Sequence, residues 1–223
     1  MRNFLKRNLL KYVIFSMVFC GLNAFALSND VYAAENLTDI QGHWAGNVIQ
    51  EWVDNGLASG YPDGTFRPEK SITRAEYMAL ANRAFNFTDE TEVNFSDVKP
   101  GDWYLSTIKK AISAGYISGY PDGTMRPKEP ITRQEAAMII AKIKGLTTNT
   151  QAIQTLTDGD EIGDWSKGYV GAVIEAGYMT GYTDGSFKAN NQIKRGEAIT
   201  AFNNAKKIAS IYEKAGTFGQ EMD

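Results

Sequence analysis

The sequence predicts an all-α, mainly helical protein made of three copies of one helix-loop-helix repeat. A Gly-Tyr-x-Asp-Gly loop occurs three times in the 223 residues, and its copies are separated by 59 and 62 residues. A tryptophan and an arginine recur at the same two offsets, and each tryptophan lies 30 residues before its arginine. Apolar residues at helical spacing flank every loop. A fixed long period of this kind is typical of repeat architectures. The recurring residues are Trp44, Trp103 and Trp165; Gly60, Gly119 and Gly181; Tyr61, Tyr120 and Tyr182; and Arg74, Arg133 and Arg195.

The first 33 residues have the layout of a secretory signal peptide. A basic segment from Arg2 to Lys11 precedes an apolar stretch from Tyr12 to Leu27, and small residues lead up to Ala33. We therefore predict cleavage after Ala33 and export of the mature chain. Two alternatives stay open: a retained membrane anchor, because the stretch is nearly long enough to cross a bilayer, and a lipoprotein modified at Cys20. The bulky Phe19 and the polar residues after the stretch favour removal.

Composition excludes several classes of site. Cys20 is the only cysteine and lies inside the predicted signal peptide, so the mature chain has no thiol, no disulfide and no thiolate metal site. His43 is the only histidine, which excludes a histidine cluster and disfavours a histidine-based triad. The formal net charge is -3 and no basic cluster lies beyond the signal peptide, so nucleic acid is not an expected partner. We predict neither a metal nor a cofactor.

The first helix of each repeat begins just after the recurring tryptophan. A glycine ends it, since glycine readily adopts the left-handed conformation of a helix C-terminus. The Pro-Asp-Gly or Thr-Asp-Gly sequence that follows is turn chemistry. The apolar helix positions are Val48, Ile49, Trp52 and Val53; Ile108, Ala111 and Ile112; and Val170, Val173 and Ile174, and the stop signals are Gly56, Gly115 and Gly177.

The second helix of repeats one and two opens with a capping box. Thr73 and Thr132 are each followed three residues later by glutamate, so hydroxyl and carboxylate can satisfy each other's backbone amides. Repeat three has Lys194 and Gly196 at the first and third positions of this motif, and we expect its helix to start least firmly. Its helical pattern continues to about Lys214. We therefore divide the mature chain into repeats of residues 34–92, 93–150 and 151–214 and a tail of residues 215–223.

This repeat, with an acidic residue before the tryptophan, the Gly-Tyr-x-Asp-Gly loop and the Thr-Arg-x-Glu helix start, resembles the S-layer homology domain. The resemblance covers about Thr38 to Lys207. It implies that three repeats form one pseudo-threefold unit around a central three-helix bundle. It also implies non-covalent attachment to secondary cell-wall polysaccharide, typically with a pyruvate ketal on N-acetylmannosamine, in grooves between adjacent repeats. The expected location is the cell wall or S-layer of a bacterium, with a Gram-positive source favoured.

The recurring side chains supply a physical mechanism for binding an acidic sugar. The three arginines lie in the first turns of their helices, where we expect guanidinium groups and free backbone amides to face a carboxylate together. The tryptophans and tyrosines offer flat apolar faces to a sugar ring, and the adjacent glycines permit close approach. Asp39, Asp97 and Asp160 are candidates to accept hydrogen bonds from sugar hydroxyls or to fix the arginine, with Asp158 and Asp164 as alternatives for the third position.

Each candidate also has a plain structural interpretation. The arginines can be solvated residues at a helix start, and the tryptophans can be core residues. The loop aspartates Asp63, Asp122 and Asp184 are interpreted as turn formers and not as calcium ligands, because each loop supplies one carboxylate. A carboxylate-pair hydrolase would need acids in a cleft, and capping already uses the obvious ones, Glu76, Glu135 and Glu197. We therefore predict that the chain is not an enzyme.

Alternative functions concern other partners. The chain could assemble with itself in a surface layer, with sugar binding secondary, or recruit another surface protein through the tail from Ala205 to Asp223. It could also be one part of a longer gene product. The sequence favours binding of cell-wall polysaccharide, with other surface proteins or a second copy as alternative partners and no membrane contact once the signal peptide is removed.

Overall fold

The computed structural model describes residues 37–218. The predicted signal peptide lies outside the described residues, as do residues 219–223 of the predicted tail. Within these residues six α-helices form, two from each repeat, and two short 3-10 helices, Ala152–Thr155 and Gly159–Glu161, precede the fifth. The all-helical class is confirmed, because pairing between extended segments within residues 37–218 is limited to three isolated bridges. The α-helices are α1 Gly46–Asp54, α2 Arg74–Ala84, α3 Leu105–Ser113, α4 Arg133–Ile143, α5 Asp164–Glu175 and α6 Arg195–Phe218.

The second helices of the three repeats, α2, α4 and α6, meet at the centre. Tyr77 on α2 packs its ring against Phe202 on α6, with 4.6 Å between ring centroids. Its hydroxyl donates to the carbonyl of Ala136 on α4 across 3.2 Å. Burial raises the pKa of Tyr77 well above its ordinary value, so this donor stays protonated. One tyrosine therefore connects all three helices, as expected for a central three-helix bundle.

A ring of backbone hydrogen bonds closes the three repeats on one another. The Ile72 amide donates to the Ile193 carbonyl, Ile193 donates to Ile131, and Ile131 donates to Ile72, at 3.0 to 3.1 Å. These three isoleucines directly precede the capping positions of α2, α4 and α6, and all are fully buried. Each of the three amides donates to a carbonyl of another repeat. The junction between repeats one and three is therefore equivalent to the junction between repeats one and two. The arrangement is cyclic with pseudo-threefold symmetry.

The helix starts follow the sequence motifs. Both halves of the capping box are present at Thr73 and at Thr132. In repeat three the Lys194 amide still donates to the Glu197 carboxylate across 3.0 Å, but no hydroxyl is available for the reciprocal bond. The glycines predicted to end the first helices have φ near +70° in all three repeats. No helix within residues 37–218 combines the length and the apolar character needed to cross a membrane.

Candidate functional site

Grooves between the repeats bring together residues from all three of them. The Trp44 groove, lined by Trp44, Arg133, Tyr182, Lys194 and Glu197, has a cavity volume of about 450 Å³. The Trp103 groove, lined by Gly60, Tyr61, Glu76, Trp103 and Arg195, has a cavity volume of about 190 Å³. In both grooves one repeat supplies the arginine, the next supplies the Gly-Tyr loop and the glutamate, and the remaining one supplies the tryptophan. The corresponding arginine, tyrosine and glutamate of the third interface are Arg74, Tyr120 and Glu135.

The arginine of each groove is tied into the neighbouring repeat. Arg133 donates from Nε to the Phe187 carbonyl across 2.8 Å and from Nη2 to the Thr180 carbonyl across 3.0 Å. Its Nη1 lies 3.2 Å from Glu197 Oε1. Arg133 and Arg74 are both only 4 % exposed. These guanidinium groups therefore hold the repeats together, and their direct contact with a carboxylate ligand stays a prediction.

Arg195 is held least firmly of the three. Its Nη1 lies 3.9 Å from Glu76 Oε1, whereas the Arg74 Nη1 to Glu135 Oε1 distance is 3.0 Å. The Arg195 side chain is also more exposed, at 11 % against 5 % for Arg74. The Trp103 groove thus contains the guanidinium that could most readily exchange its glutamate partner for a ligand.

The expectation that free backbone amides lie beside the arginines is wrong. The Arg133 amide donates to the Asn191 carbonyl across 2.8 Å, and the Gln134 amide donates to the Ala189 carbonyl across 3.0 Å. The same pairs form at the starts of α2 and α6. Sequence alone did not indicate this, because the loop that covers each helix start belongs to another repeat. These amides therefore bind the start of each helix to a loop of another repeat.

The tyrosine hydroxyl and the capping glutamate are paired in two of the three sets. Tyr120 donates to Glu135 Oε1 across 2.7 Å, and Tyr182 donates to Glu197 Oε1 across 2.6 Å. Burial, reinforced by the glutamate, raises the pKa of each tyrosine to about 12. Burial by itself would raise the pKa of Glu135, but bonds from Thr132 and Tyr120 and the charge of Arg74 outweigh it and lower the pKa.

Tyr61 differs from the other two loop tyrosines. Its hydroxyl accepts a hydrogen bond from Lys70 Nζ across 3.2 Å. In all three sets the guanidinium carbon of the arginine lies 4.5 to 5.0 Å from the tyrosine ring centroid. Each ring also contacts a second cation, Arg67, Arg126 or Lys188, at 4.0 to 4.6 Å from its centroid, so cations hold the rings in the groove walls.

Three of the four tryptophans lie on the surface. Trp44, Trp103 and Trp165 are 62 %, 63 % and 52 % exposed, whereas Trp52 is 1 % exposed. The interpretation of the recurring tryptophans as core residues is therefore wrong, because the first helix buries Trp52 and its equivalents and leaves the preceding tryptophan outside. Their contact with sugar stays a prediction.

The aspartates before the tryptophans clamp the loops. Asp39 accepts from the Phe66 and Arg67 amides, both at 2.7 Å. Asp97 accepts the equivalent pair, from Met125 and Arg126, at 2.8 and 2.7 Å. The second amide of each pair belongs to a residue with positive φ, 57° at Arg67 and 54° at Arg126, so the carboxylate stabilises a strained backbone. Both oxygens of each carboxylate already accept a backbone amide, so fewer lone pairs are available to sugar hydroxyls.

The third aspartate of this set is Asp158, and the assignment to Asp160 is wrong. Asp158 accepts from the Phe187 and Lys188 amides, both at 2.7 Å. Asp160 is exposed within the short helix Gly159–Glu161. Asp158 lies seven residues before Trp165, whereas Asp39 and Asp97 lie five and six residues before their tryptophans, so the five-residue spacing of Asp39 points to Asp160.

Replacing Asp158 with alanine is expected to lower the free energy of unfolding by about 2 to 3 kcal/mol, because two backbone amides lose a charged acceptor. Asp160→Ala is the matched control and should change it by less than about 0.5 kcal/mol. Urea denaturation of both variants measures the difference. Equal values for the two variants would show that the clamp is not at Asp158.

The loop aspartates are turn formers, as interpreted from the sequence. Asp122 accepts from the Thr124 hydroxyl across 2.6 Å and from the Thr124 amide across 3.0 Å, and its other oxygen accepts from Arg126 Nη2 across 2.8 Å. Asp63 and Asp184 make the corresponding bonds. The Thr124 hydroxyl, followed by Arg126, lowers the pKa of Asp122 to about 2.

Removing that hydroxyl by Thr124→Val is expected to raise the pKa of Asp122 toward its ordinary value. Carboxyl carbon chemical shifts followed by NMR between pH 1.5 and 6 measure it, with Asp63 as internal control at about 2. Because the folded-state pKa is depressed, the loop's contribution to stability is present above about pH 4 and is lost as the pH falls toward 2. An unchanged Asp122 titration would contradict this account.

Two residues of the Trp44 groove were not recognised as site residues from the sequence. In the sequence Lys194 marks only a missing capping hydroxyl, and no recurring motif includes Glu69. They form an ion pair across the wall between repeats three and one. Alignment of the three repeats could have identified Lys194, because it takes the position of Thr73 and Thr132 while the next residue, Arg195, keeps the motif.

Comparison with known proteins agrees with the repeat architecture. A family model described as S-layer homology domain matches residues 36–78, 94–137 and 155–199. "Cell surface glycoprotein 1" of Acetivibrio thermocellus is 34 % identical over 186 residues, 74 % of this chain and 8 % of that protein. "Cellulosome-anchoring protein" of the same species is 32 % identical over 151 residues, 65 % of this chain and 34 % of that protein.

A relative with an enzyme name shows the same partial overlap. "Amylopullulanase" of Thermoanaerobacterium thermosulfurigenes is 33 % identical over 188 residues, 82 % of this chain and 10 % of that protein. The chain thus spans between 8 % and 34 % of the length of these curated relatives, and the shared part is the region of the repeats. With three matches in register with the three structural repeats, the chain belongs to the S-layer homology domain family.

Proposed function

We propose that the chain attaches non-covalently to the bacterial cell wall by binding an acidic secondary cell-wall polysaccharide in its inter-repeat grooves. The observation that carries this proposal is the exposure of Trp44 and Trp103, 62 % and 63 %, in the walls of two cavities. An exposed indole beside a concave surface is suited to a flat, partly apolar ligand, as a sugar ring is.

Each groove offers cations to an acidic sugar beside the glutamates that pair with them. Arg133 and Lys194 line the Trp44 groove, and Arg195 lines the Trp103 groove. Family resemblance suggests a pyruvate ketal on N-acetylmannosamine, whose carboxylate would suit these cations. Arg195 supports the proposal most directly, since its distance of 3.9 Å to Glu76 leaves its Nη1 the least committed.

The names of the relatives support a surface location. One relative is named a cell surface glycoprotein and another a cellulosome-anchoring protein. Export through the predicted signal peptide and a location at the cell wall of a Gram-positive bacterium follow as part of this proposal. No catalytic role is proposed, because Glu76, Glu135 and Glu197 cap helices and pair with arginines.

Co-sedimentation with purified cell walls tests the proposal. The mature chain should sediment with native walls and stay in solution with walls stripped of secondary polysaccharide. The double variant Trp44→Ala/Trp103→Ala should bind at least about fivefold more weakly, because two ring contacts of about 0.5 to 1.5 kcal/mol each are lost and the grooves act together.

Trp165→Ala is the matched control, since its indole is similarly exposed but lines neither of these two cavities. It should lose less binding than the double variant. Equal sedimentation of the wild type with native and stripped walls would overturn the proposal. Sedimentation without any walls would instead favour self-assembly.

A further inference from the structure

Lys194 lines the Trp44 groove at a position where the other two repeats have threonine. The equivalent residues of the other repeats are Thr73 and Thr132, whose hydroxyls are used within their capping boxes at 2.9 and 2.8 Å from glutamate. The Lys194 backbone amide keeps the contact with Glu197, so its side chain is not needed for capping. That side chain instead lines the cavity of about 450 Å³ together with Trp44 and Tyr182.

Lys194 is the more available of the two cations that line this cavity in the described part of the chain. Arg133 uses Nε, Nη1 and Nη2 for neighbouring protein groups and is 4 % exposed. The Lys194 side chain is 45 % exposed and pairs with Glu69, which is 55 % exposed. An ammonium group has three donors, so contact with one carboxylate leaves two for a ligand.

Glu69 does not depend on Lys194 alone. Its other carboxylate oxygen lies 2.9 Å from His43 Nε2. The His43 Nδ1 accepts the Ala45 amide across 3.1 Å, which orients the ring so that Nε2–H donates to Glu69. Lys194 can therefore turn toward a ligand while Glu69 keeps a hydrogen-bond donor.

We infer that Lys194 is the residue that recognises the carboxylate of an acidic saccharide in the Trp44 groove, with the sugar ring against Trp44. The inference rests on the proposed function and deepens it, because it makes the grooves chemically unequal. The Trp103 groove has threonine, Thr73, at the corresponding position, and the cations that line it are Arg83 and Arg195. The Trp44 groove therefore selects a charged saccharide over its neutral analogue through an ammonium group.

Titration followed by NMR of the indole N–H signals tests each groove separately. The signals of Trp44 and Trp103 are assigned with Trp44→Phe and Trp103→Phe. The probes are short fragments of purified wall polysaccharide, either native or with their carboxylates chemically reduced. For Lys194→Gln, the affinity reported by Trp44 for native fragments should fall about tenfold, because a charge-assisted bond is lost. The Trp103 titration should not change.

Reduced fragments should bind at Trp44 of the wild type about as weakly as native fragments bind Lys194→Gln. Lys167→Gln is the matched control, since Lys167 is 30 % exposed and pairs with Asp164 at 2.7 Å in the same repeat but lines neither groove. It should leave both titrations unchanged. Lys194→Thr restores the capping hydroxyl and should raise the Tm by about 2 to 4 °C while it weakens binding at Trp44.

The outcomes separate the inference from the proposed function. If the Trp44 titration of Lys194→Gln equals that of the wild type, the role of Lys194 is overturned and wall attachment stands. If Lys194→Thr loses stability and affinity together, Lys194 has a structural role and the inference is also overturned. If native fragments shift neither indole signal of the wild type, the proposed function itself fails.

Discussion

Replacement of Arg133 by alanine is expected to lower the free energy of unfolding by about 3 to 5 kcal/mol. Removing one partner of a buried ion pair leaves the charge of the other partner buried and uncompensated. Arg133 is 4 % exposed, and its loss would leave Glu197 without its cation and two carbonyls without their donor. Thermal and urea denaturation, followed by circular dichroism, measure the change.

Arg126→Ala is the matched control for this variant. Arg126 also lies over a tyrosine ring, 4.0 Å from the Tyr120 centroid, and pairs with Asp122 at 2.8 Å, but its side chain is 37 % exposed. Its removal should cost no more than about 1 kcal/mol. If Arg133→Ala cost as little, the guanidinium groups would not join the repeats. Loss of binding by a triple alanine variant at Arg74, Arg133 and Arg195 would therefore reflect loss of folding before loss of ligand contacts.

Trp52→Ala is expected to reduce the free energy of unfolding by about 3 to 5 kcal/mol, as large-to-small changes of buried aromatics do. Trp52 on α1 packs near Phe202 on α6, with 6.3 Å between ring centroids. Its indole N–H donates to Asn203 Oδ1 across 3.2 Å, so alanine would also leave a buried amide oxygen unsatisfied. Equilibrium denaturation measures the loss.

Two further variants make the Trp52 result interpretable. Trp103→Ala removes an indole that is 63 % exposed and should change stability by less than about 0.5 kcal/mol. Trp52→Phe keeps most of the volume but not the hydrogen bond, and it should lie between wild type and Trp52→Ala. A stability of Trp52→Ala close to that of Trp103→Ala would mean that repeats one and three do not pack as described.

Local features of the fold were predictable from the sequence. The capping boxes at Thr73 and Thr132 mark the helix starts to the residue, because their hydrogen bonds join positions three apart. The glycines that end the first helices act equally locally. The continuation of α6 was also expected, although the helix extends to Phe218 and not only to Lys214.

Contacts between repeats were not predictable in the same way. The Arg74 Nε meets the Met125 carbonyl and the Arg133 Nε meets the Phe187 carbonyl, across 51 and 54 residues of chain. A motif read within one repeat cannot show that its arginine belongs to the interior of the next interface. The same reason explains why the helix-start amides were expected to be free. Asp158 was only an alternative from the sequence, because the spacing from aspartate to tryptophan differs among the three repeats.

The isoleucine ring sets the copy number of the repeat. In an open solenoid each unit meets only its neighbours, and tandem duplication lengthens the array. Here the Ile193 carbonyl already accepts the Ile72 amide, so an inserted fourth unit would find no unpaired backbone group to join. A gene that gains or loses a single repeat would therefore encode a chain that cannot form this closed ring. Viable changes in length are expected to come as whole sets of three repeats.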